Sequence, residues 1–313
     1  MSTKVQETAD DAAISKNSAA NAGYYRDPFI QFFIQKTNRR SPLINRGYFA
    51  RALAVDVLIR RFITICRQSG DGRSQVVVLG AGMDSLFWRL YCDAALVVGG
   101  SEASGEGMPS LWVEVDFPDV TSRKATVMKS VPTMSRCVAG LPVKAVELEA
   151  LEKGGKTSSS PYATGAVSAS SPSTSGESSI PPERLTFTPT PEGGCSVSGA
   201  SGYRLVTGDL RDLEALKTSL SSAGVDPSIP TLFLSECVLV YLEPEDSCAV
   251  IAWSAATFKR AAFVTYEQVR PNGIFRLNLF ESCTLPRLNY TLFCFVPLTL
   301  LLPRFDPMML SGK

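Results

Sequence analysis

The chain has 313 residues, 45% of them hydrophobic, which is enough for one large domain or two small ones. The formal net charge is +1, so no overall basic field indicates nucleic-acid binding. Histidine is absent, which excludes Ser-His and Cys-His nucleophilic pairs, HExxH zinc sites and a histidine general base.

The first residues are polar and contain Glu7, Asp10 and Asp11, which predicts a disordered start at residues 1–12 and no signal peptide. The eight cysteines are scattered without a CxxC pair. We therefore expect a reduced, cytoplasmic protein whose cysteines are small core residues, and no bound zinc or other metal. A helical segment is expected after the start, with Lys16 in solvent.

The aromatic cluster at residues 24–34 is expected to pack in the core, and residues 45–51 lead into a longer helix. Arg51 lies in the first turns of that helix. An arginine there is usually a surface residue, but it could hold a carboxylate or phosphate in bidentate fashion. The apolar face of the helix is predicted to consist of Leu53, Val57, Leu58, Phe62 and Ile65.

Residues 75–90 predict a strand, a tight glycine turn and a helix. The apolar run at 76–79 suits a strand that is buried on both faces of a parallel sheet. Gly80 and Gly82 follow directly. Glycines allow positive φ and a close approach of backbone to a ligand, at the carboxyl end of a strand where open α/β sheets bind ligands.

The residues after this turn indicate which ligand is expected. A nicotinamide-binding turn needs a third glycine, but Ser85 stands at that position, next to Asp84. A carboxylate does not suit a pyrophosphate, whereas it suits a cation such as the sulfonium of S-adenosylmethionine. The stretch therefore indicates a methyltransferase. An ordinary strand–turn–helix unit, with Asp84 and Ser85 capping the helix, is the alternative.

Three later strands are also followed by acids. Residues 111–118 predict a strand that ends on Asp116, which is expected to accept hydrogen bonds from ribose hydroxyls; a Gly/Ser-rich insert at 99–109 lengthens the usual spacing. Asp209 follows a strand and could hold the adenine amino group or cap a helix. Glu236 ends an apolar strand, where a lone carboxylate is costly to bury without a partner.

The alternation of strands and helices predicts an α/β fold, with a mostly parallel central sheet and helices on both faces, over residues 13–275. Residues 154–202 are rich in Ser, Thr, Pro and Gly and are expected to be a disordered insert, or else a linker between two domains. Residues 276–313 contain four prolines and an apolar run that is too short to span a membrane, so they predict an atypical tail.

The motifs of the chain, and the order in which they occur, closely resemble those of the leucine carboxyl methyltransferases. The resembling segments are residues 24–30, 44–51, 75–90, 114–118, 209–213, 235–241 and 266–269. The resemblance implies a Rossmann-like, class I S-adenosylmethionine-dependent methyltransferase fold. Residues 276–313 do not resemble the family's closing strands, so we expect that the sheet lacks its last strands.

The resemblance also implies contacts to the cofactor, S-adenosylmethionine. Gly80, with Gly82 in the same turn, matches the glycine of the cofactor loop. Asp116 matches a ligand of the ribose, and Asp209 and Leu210 match contacts on the adenine side.

Four further residues match the reacting end of the family's site. Glu236 corresponds to the acid near the methionine portion of the cofactor. Lys16 and Arg51 correspond to basic residues around the cofactor and substrate carboxylates, and they are the predicted catalytic residues together with Tyr241, which lies in a motif lining the site.

The family methylates the C-terminal leucine carboxylate of the protein phosphatase 2A catalytic subunit. The resemblance therefore implies that partner, a monomer, and no nucleic acid or membrane. A carboxylate is ionised at pH 7 and needs no general base, so the absence of histidine is no handicap. Three alternatives are a relative that acts on a carboxylate of a modified tRNA base, a non-catalytic binder of cofactor or phosphatase, and a nicotinamide dehydrogenase, which the missing third glycine disfavours.

Overall fold

The computed structural model describes residues 3–70, 72–97, 102–103, 107–154, 180–267 and 292–294. The helices are α1 Thr3–Asn21, α2 Pro42–Gln68, α3 Leu86–Val97, α4 Pro118–Ser130, α5 Pro132–Val138, α6 Ala145–Gly154, α7 Leu213–Ser222 and α8 Pro244–Thr257. Short 3-10 helices cover Ile30–Phe33 and Leu239–Tyr241. The strands are β1 Gln75–Leu79, β2 Glu102–Ala103, β3 Leu111–Asp116, β4 Val143–Lys144, β5 Leu185–Pro189, β6 Cys195–Gly199, β7 Tyr203–Thr207, β8 Thr231–Glu236, β9 Ala261–Tyr266 and β10 Leu292–Cys294.

An eight-stranded sheet forms the centre of the fold, in the order β10-β9-β8-β1-β3-β7-β6-β5. The strands from β10 to β7 run parallel, and β6 and β5 add an antiparallel hairpin to the β7 edge. Strands β2 and β4 form a separate antiparallel pair. The predicted α/β fold with a mostly parallel sheet is confirmed.

Strand β1 lies in the middle of the sheet, and all five of its residues are buried. Val76 and Val78 point into one hydrophobic cluster, and Val77 and Leu79 point into another on the opposite face. Side chains alternate between the two faces of a strand, so a central parallel strand must be apolar on both. The continuous apolar run around Val77 is explained by this position.

Local sequence signals account for several helix starts. Ser41 caps α2 by accepting a hydrogen bond from the backbone N–H of Ile44, and Pro42 follows in the first turn. Asp212 caps α7 in the same way. Helix α8 begins with Pro244 and carries acids in its first turn, which favours a helix N-terminus.

One ion pair between the sheet and helix α4 is buried. Lys124 of α4 is 0% exposed, and its Nζ lies 2.6 Å from Oε2 of Glu114 in β3. The hydroxyl of Tyr203 donates to the same oxygen over 2.7 Å, and the lysine also lies over the ring of Trp88. A buried charge is retained only with such partners, so these residues tie α4 to the sheet.

The expected disorder of residues 1–12 is wrong from Thr3 onward, because α1 begins there. This helix is held by long-range ion pairs, between Asp10 and Arg123 over 2.6 Å and between Asp11 and Arg40. Isolated helices are marginal, so such tertiary contacts decide whether this one forms.

The predicted apolar face of α2 is wrong for three of its five residues. Leu53, Val57 and Ile65 are exposed. Leu58 and Phe62 pack against the core as predicted, next to the buried residues Val55 and Ile59. The helix is apolar on two sides, so periodicity alone does not select the inner one.

The expected disordered insert at 154–202 is wrong for its last part. Residues 185–199 form the hairpin of β5 and β6, which pairs with β7 and buries Cys195 and Val197. Residues 155–179 lie outside the described residues.

Two further expectations concern the tail and the domain extent. Of the tail at 276–313, only residues 292–294 are described, and they form β10. The single domain over 13–275 stays a prediction. No helix in the described ranges is long and apolar enough to cross a membrane.

Candidate active site

The glycine turn after β1 is the backbone frame of the site. Gly80 and Gly82 have φ of +67° and +54°, in the region that favours glycine. A Cβ on Gly80 would lie 2.5 Å from Cγ2 of Val238, so a side chain there would collide with the segment after β8. The turn is tied to β3, since the N–H groups of Gly80 and Ala81 donate to the carbonyl of Val115 over 2.9 and 3.1 Å.

Asp116 closes the adjacent strand, as predicted. Its carboxylate accepts hydrogen bonds from the backbone N–H of Gly82 over 2.6 Å and of Phe117 over 2.7 Å. Burial raises the pKa of Asp116, and the two hydrogen bonds oppose this shift. Each carboxylate oxygen has a second lone pair, so Asp116 can still accept from ribose hydroxyls.

Four charged side chains converge beside this turn. The Nζ of Lys16 lies 2.8 Å from Oε1 of Glu236 and 2.9 Å from Oδ2 of Asp84. Arg51 donates from Nε to the same Glu236 oxygen. The prediction that Lys16 is solvated is wrong, because Lys16 is only 6% exposed. Arg51 is 9% exposed, so it is not the surface residue that an arginine in this position usually is.

These four groups keep one another charged. Burial opposes ionisation, but the attraction of Arg51 and Lys16 lowers the pKa of Glu236. Likewise, Lys16 outweighs the effect of burial and holds the pKa of Asp84 at about 2. Burial lowers the pKa of Lys16, yet the two acids raise it overall. Two positive and two negative charges therefore face each other near neutral pH.

A cavity of about 650 Å³ opens onto this cluster. It is lined by the predicted residues Lys16, Arg51, Gly80, Gly82, Asp116, Leu210, Glu236 and Tyr241. The structure thus brings these residues together from six separate parts of the chain, and their individual roles stay predictions.

Asp209 is the predicted site residue that does not line the cavity. Its carboxylate accepts hydrogen bonds from the side chain of Arg211, at 2.9 Å from Nε to Oδ1. The Arg211 hydrogen bonds also lower the pKa of Asp209. Leu210 and Arg211 line the cavity instead, and the carboxylate expected to hold adenine is occupied by Arg211, two residues further along the chain.

The segment 237–242 forms one wall of the cavity, and sequence reasoning missed what holds it. Oε1 of Glu267 accepts from the backbone N–H of Val238 over 3.3 Å, from that of Leu239 over 3.2 Å, and from the hydroxyl of Thr265 over 3.2 Å. Cys237, at φ +57°, donates its N–H to the carbonyl of Tyr266 over 2.7 Å. Burial raises the pKa of Glu267 to about 7 despite these hydrogen bonds.

A second missed group fixes the start of α3. The hydroxyl of Ser85 donates to Asp27 over 2.6 Å, and Asp27 also accepts from the N–H groups of Phe29 and Ile30. Arg89, which is 7% exposed, lies 3.7 Å from the same carboxylate. The sequence offered one signal for this group: Arg89 is a charged residue within the apolar start of α3, and a buried charge requires a partner.

The doubly wound sheet, the glycine turn at its centre and the acids at its strand ends define a Rossmann-like α/β protein with a small-molecule cofactor site. The family model described as leucine carboxyl methyltransferase matches residues 4–255. The chain belongs to this methyltransferase family, and the resemblance inferred from its motifs is confirmed.

Individual relatives divide between two names. The chain is 36% identical to the human tRNA wybutosine-synthesizing protein 4 over 286 residues, 90% of this chain and 33% of that protein. It is 32% identical to the leucine carboxyl methyltransferase 1 homolog of Arabidopsis thaliana over 271 residues, 87% of this chain and 63% of that protein. It is 29% identical to leucine carboxyl methyltransferase 1 of Rattus norvegicus over 280 residues, 89% of this chain and 66% of that protein. The chain thus spans less than two thirds of the length of each.

Proposed function

We propose that the protein transfers a methyl group from S-adenosylmethionine to the C-terminal leucine carboxylate of the protein phosphatase 2A catalytic subunit, forming a methyl ester that regulates phosphatase assembly. The convergence of Lys16 and Arg51 beside the glycine turn carries this proposal. Two buried cations at one end of a cofactor cavity are the groups that a carboxylate acceptor requires. The family and the relatives named leucine carboxyl methyltransferase 1 support it.

The residues present fit the cofactor. Asp116 retains acceptor capacity for ribose hydroxyls, and the turn formed by Gly80 and Gly82 lines the cavity beside it. Glu236 and Asp84 can face cationic groups, while Lys16 and Arg51 can face a carboxylate. When bound, S-adenosylmethionine supplies a methyl group on a sulfonium, which a carboxylate accepts as an ester without proton transfer.

The chain's own contribution is orientation and charge. Arg51 is held by Glu236 and lies over the rings of Tyr48 and Tyr266, with its guanidinium carbon 5.4 and 5.7 Å from their centroids. Such a fixed guanidinium can hold an acceptor carboxylate in one orientation. Orientation of this kind contributes up to about 7–11 kcal/mol in favourable cases, so no general base is required.

The first test is transfer of a labelled methyl group to the intact phosphatase catalytic subunit, compared with the same subunit lacking its terminal leucine. We expect incorporation only with the intact subunit. Incorporation into both, or into neither, would contradict the proposal. Saturable cofactor binding without transfer, measured by calorimetry, would indicate a non-catalytic binder.

A second candidate acceptor is the carboxylate of a modified tRNA base. The human relative named tRNA wybutosine-synthesizing protein 4 favours it, although the chain covers only 33% of that protein. The near-neutral net charge of +1 is unfavourable for nucleic-acid binding. Parallel assays with tRNA carrying a carboxylated base distinguish the two: methylation of tRNA alone would replace the phosphatase as acceptor.

A further inference from the structure

Helix α2 exposes large aliphatic side chains to an extent that no other described element does. Of the six exposed large hydrophobic residues in the described ranges, five belong to this helix, at exposed fractions between 43% and 79%; the sixth is Val146 of α6. We define the outer face of α2 by six residues. They are Leu43, Arg46, Leu53, Val57, Arg61 and Ile65.

These residues share one side of the helix. Leu53, Val57, Arg61 and Ile65 follow one another at steps of four residues, so their side chains lie in one row. The opposite side already supplies the core with Val55 and other buried residues. A helix that is apolar on both sides is normally covered on both, so the outer face has the composition of an interface.

The charged residues of this region are mainly basic. The sequence contains no Asp or Glu between Asp27 and Asp56, and Asp56 is engaged by the buried Arg89. Arg46 and Arg61 are exposed on the outer face, and Lys36 is exposed in the segment that leads into the helix. A complementary partner therefore has apolar side chains surrounded by acidic ones.

Helix α2 also reaches the candidate active site. It carries Tyr48 and Arg51, both of which line the cavity. A macromolecule docked on the outer face would therefore contact the same helix that positions Arg51 in the site.

We propose that the outer face of α2 docks a folded acceptor protein through an acidic, apolar surface that flanks the methylated carboxylate. This inference rests on the proposed function. Protein is favoured over RNA, because single-stranded RNA is held mainly by aromatic stacking, whereas the exposed residues here are aliphatic.

The test uses the full chain with the double substitution Leu53→Glu/Val57→Glu, and separately Arg46→Glu/Arg61→Glu. Each variant is assayed with the intact phosphatase catalytic subunit and with a short synthetic peptide that ends in its terminal leucine. We expect KM for the intact subunit to rise about tenfold or more, with kcat nearly unchanged. KM for the peptide should stay as in the wild type, because the peptide reaches only the cavity.

Val146→Glu is the matched control, because it also places an acid at an exposed apolar position, but on α6. We expect this variant to behave as the wild type with both acceptors. Binding of S-adenosylhomocysteine, measured by calorimetry, should be the same in all variants and shows that each one folds. Higher ionic strength should raise KM for the intact subunit in the wild type and less in the arginine variant.

Several results would overturn the inference. If KM changed equally for the subunit and the peptide, or for neither, α2 would not be the docking site of the acceptor. The proposed function would be unaffected by that result. A variant that melts at a lower temperature, or that changes mass in light scattering, would mean that the face is covered by this chain or by a second copy. Reduced tRNA methylation in place of phosphatase methylation would assign the face to RNA, and an inactive wild type would reject the proposed function itself.

Discussion

Arg51 lies in α2 and Glu236 at the end of β8, yet the guanidinium Nε of Arg51 donates directly to Oε1 of Glu236. Lys16 contacts the same oxygen over 2.8 Å. A single carboxylate thus holds both cations that the proposed function assigns to carboxylate binding. This shared contact has consequences for catalysis and for the order of binding.

Arg51→Ala should lower kcat/KM for the acceptor by about 10²-fold or more, because the group that orients the carboxylate is removed. Arg51→Lys should be nearly as poor, since an ammonium keeps the charge but not the planar pair of donors. Steady-state kinetics with the intact subunit measure the effect. Lys217→Ala is the control, because Lys217 pairs with the exposed Glu214 and does not line the cavity. Unchanged turnover in Arg51→Ala would disprove the assignment.

The acceptor should bind poorly before the cofactor, because Glu236 occupies both cations in the structure. We expect a leucine-terminated peptide to bind the complex with S-adenosylhomocysteine about tenfold more tightly than the free protein. In Glu236→Gln, which keeps an acceptor oxygen but not the charge, this difference should largely disappear. Calorimetric titrations with and without S-adenosylhomocysteine measure it, and equal affinities in the wild type would contradict the prediction.

Gly80→Ala should destabilise the protein and weaken cofactor binding, because its Cβ would lie 2.5 Å from Val238 and its φ is +67°. We expect a loss of about 2 kcal/mol or more in the free energy of unfolding. Gly82→Ala is the control, since its φ is also positive but its nearest contact, Ala9, is 3.5 Å away. It should cost only about 1 kcal/mol. Adding Val238→Ala to Gly80→Ala should partly restore the free energy of unfolding, which denaturant unfolding of the double variant can measure.

Glu267 should make stability depend on pH. Its pKa is raised from an ordinary 4.5 to about 7, so the folded state binds a proton more tightly than the unfolded state. The contribution of this group is therefore fully present below about pH 4.5 and is lost as pH rises through about 7. The charged groups that face it are Arg51 of α2 and, when ionised, Cys237 of the adjoining segment.

Glu267→Gln removes this titration and keeps a hydrogen-bond acceptor. Relative to the wild type, we expect the variant to gain up to about 3 kcal/mol of unfolding free energy between pH 4.5 and pH 8, at about 1.4 kcal/mol per unit of pKa shift. Denaturant unfolding at several pH values measures the difference. Glu214→Gln, at a residue whose side chain is 84% exposed, should show no such trend. A flat difference for Glu267→Gln would refute the raised pKa.

Much of the frame was predictable from local sequence. The apolar run before Gly80, the glycines of the turn, and the acids Asp116 and Glu236 at strand ends lie where the pattern predicted. These features follow from rules that act over a few residues: an apolar run marks a buried central strand, and parallel strands present their carboxyl ends at one edge of the sheet. The family was recognisable for the same reason.

The tertiary structure decided the partners. Lys16 and Glu236 are distant in sequence, so nothing local indicated that the lysine is buried in an ion pair. The same applies to Lys124 with Glu114, and to Glu267, which holds the segment after β8.

In helix α2 and in the hairpin at 185–199, tertiary packing likewise decided what the local sequence pattern left open. Both sides of α2 are apolar, and only packing shows that Val55 faces the core while Val57 faces outward. Strands β5 and β6 are short and polar, and they become ordered because β7 offers an edge with which to pair. The sequence by itself determined the strands, the glycine turn and the family, because these depend on local patterns. Only the tertiary structure decided which charges meet and which faces remain open, because those depend on contacts between distant parts of the chain.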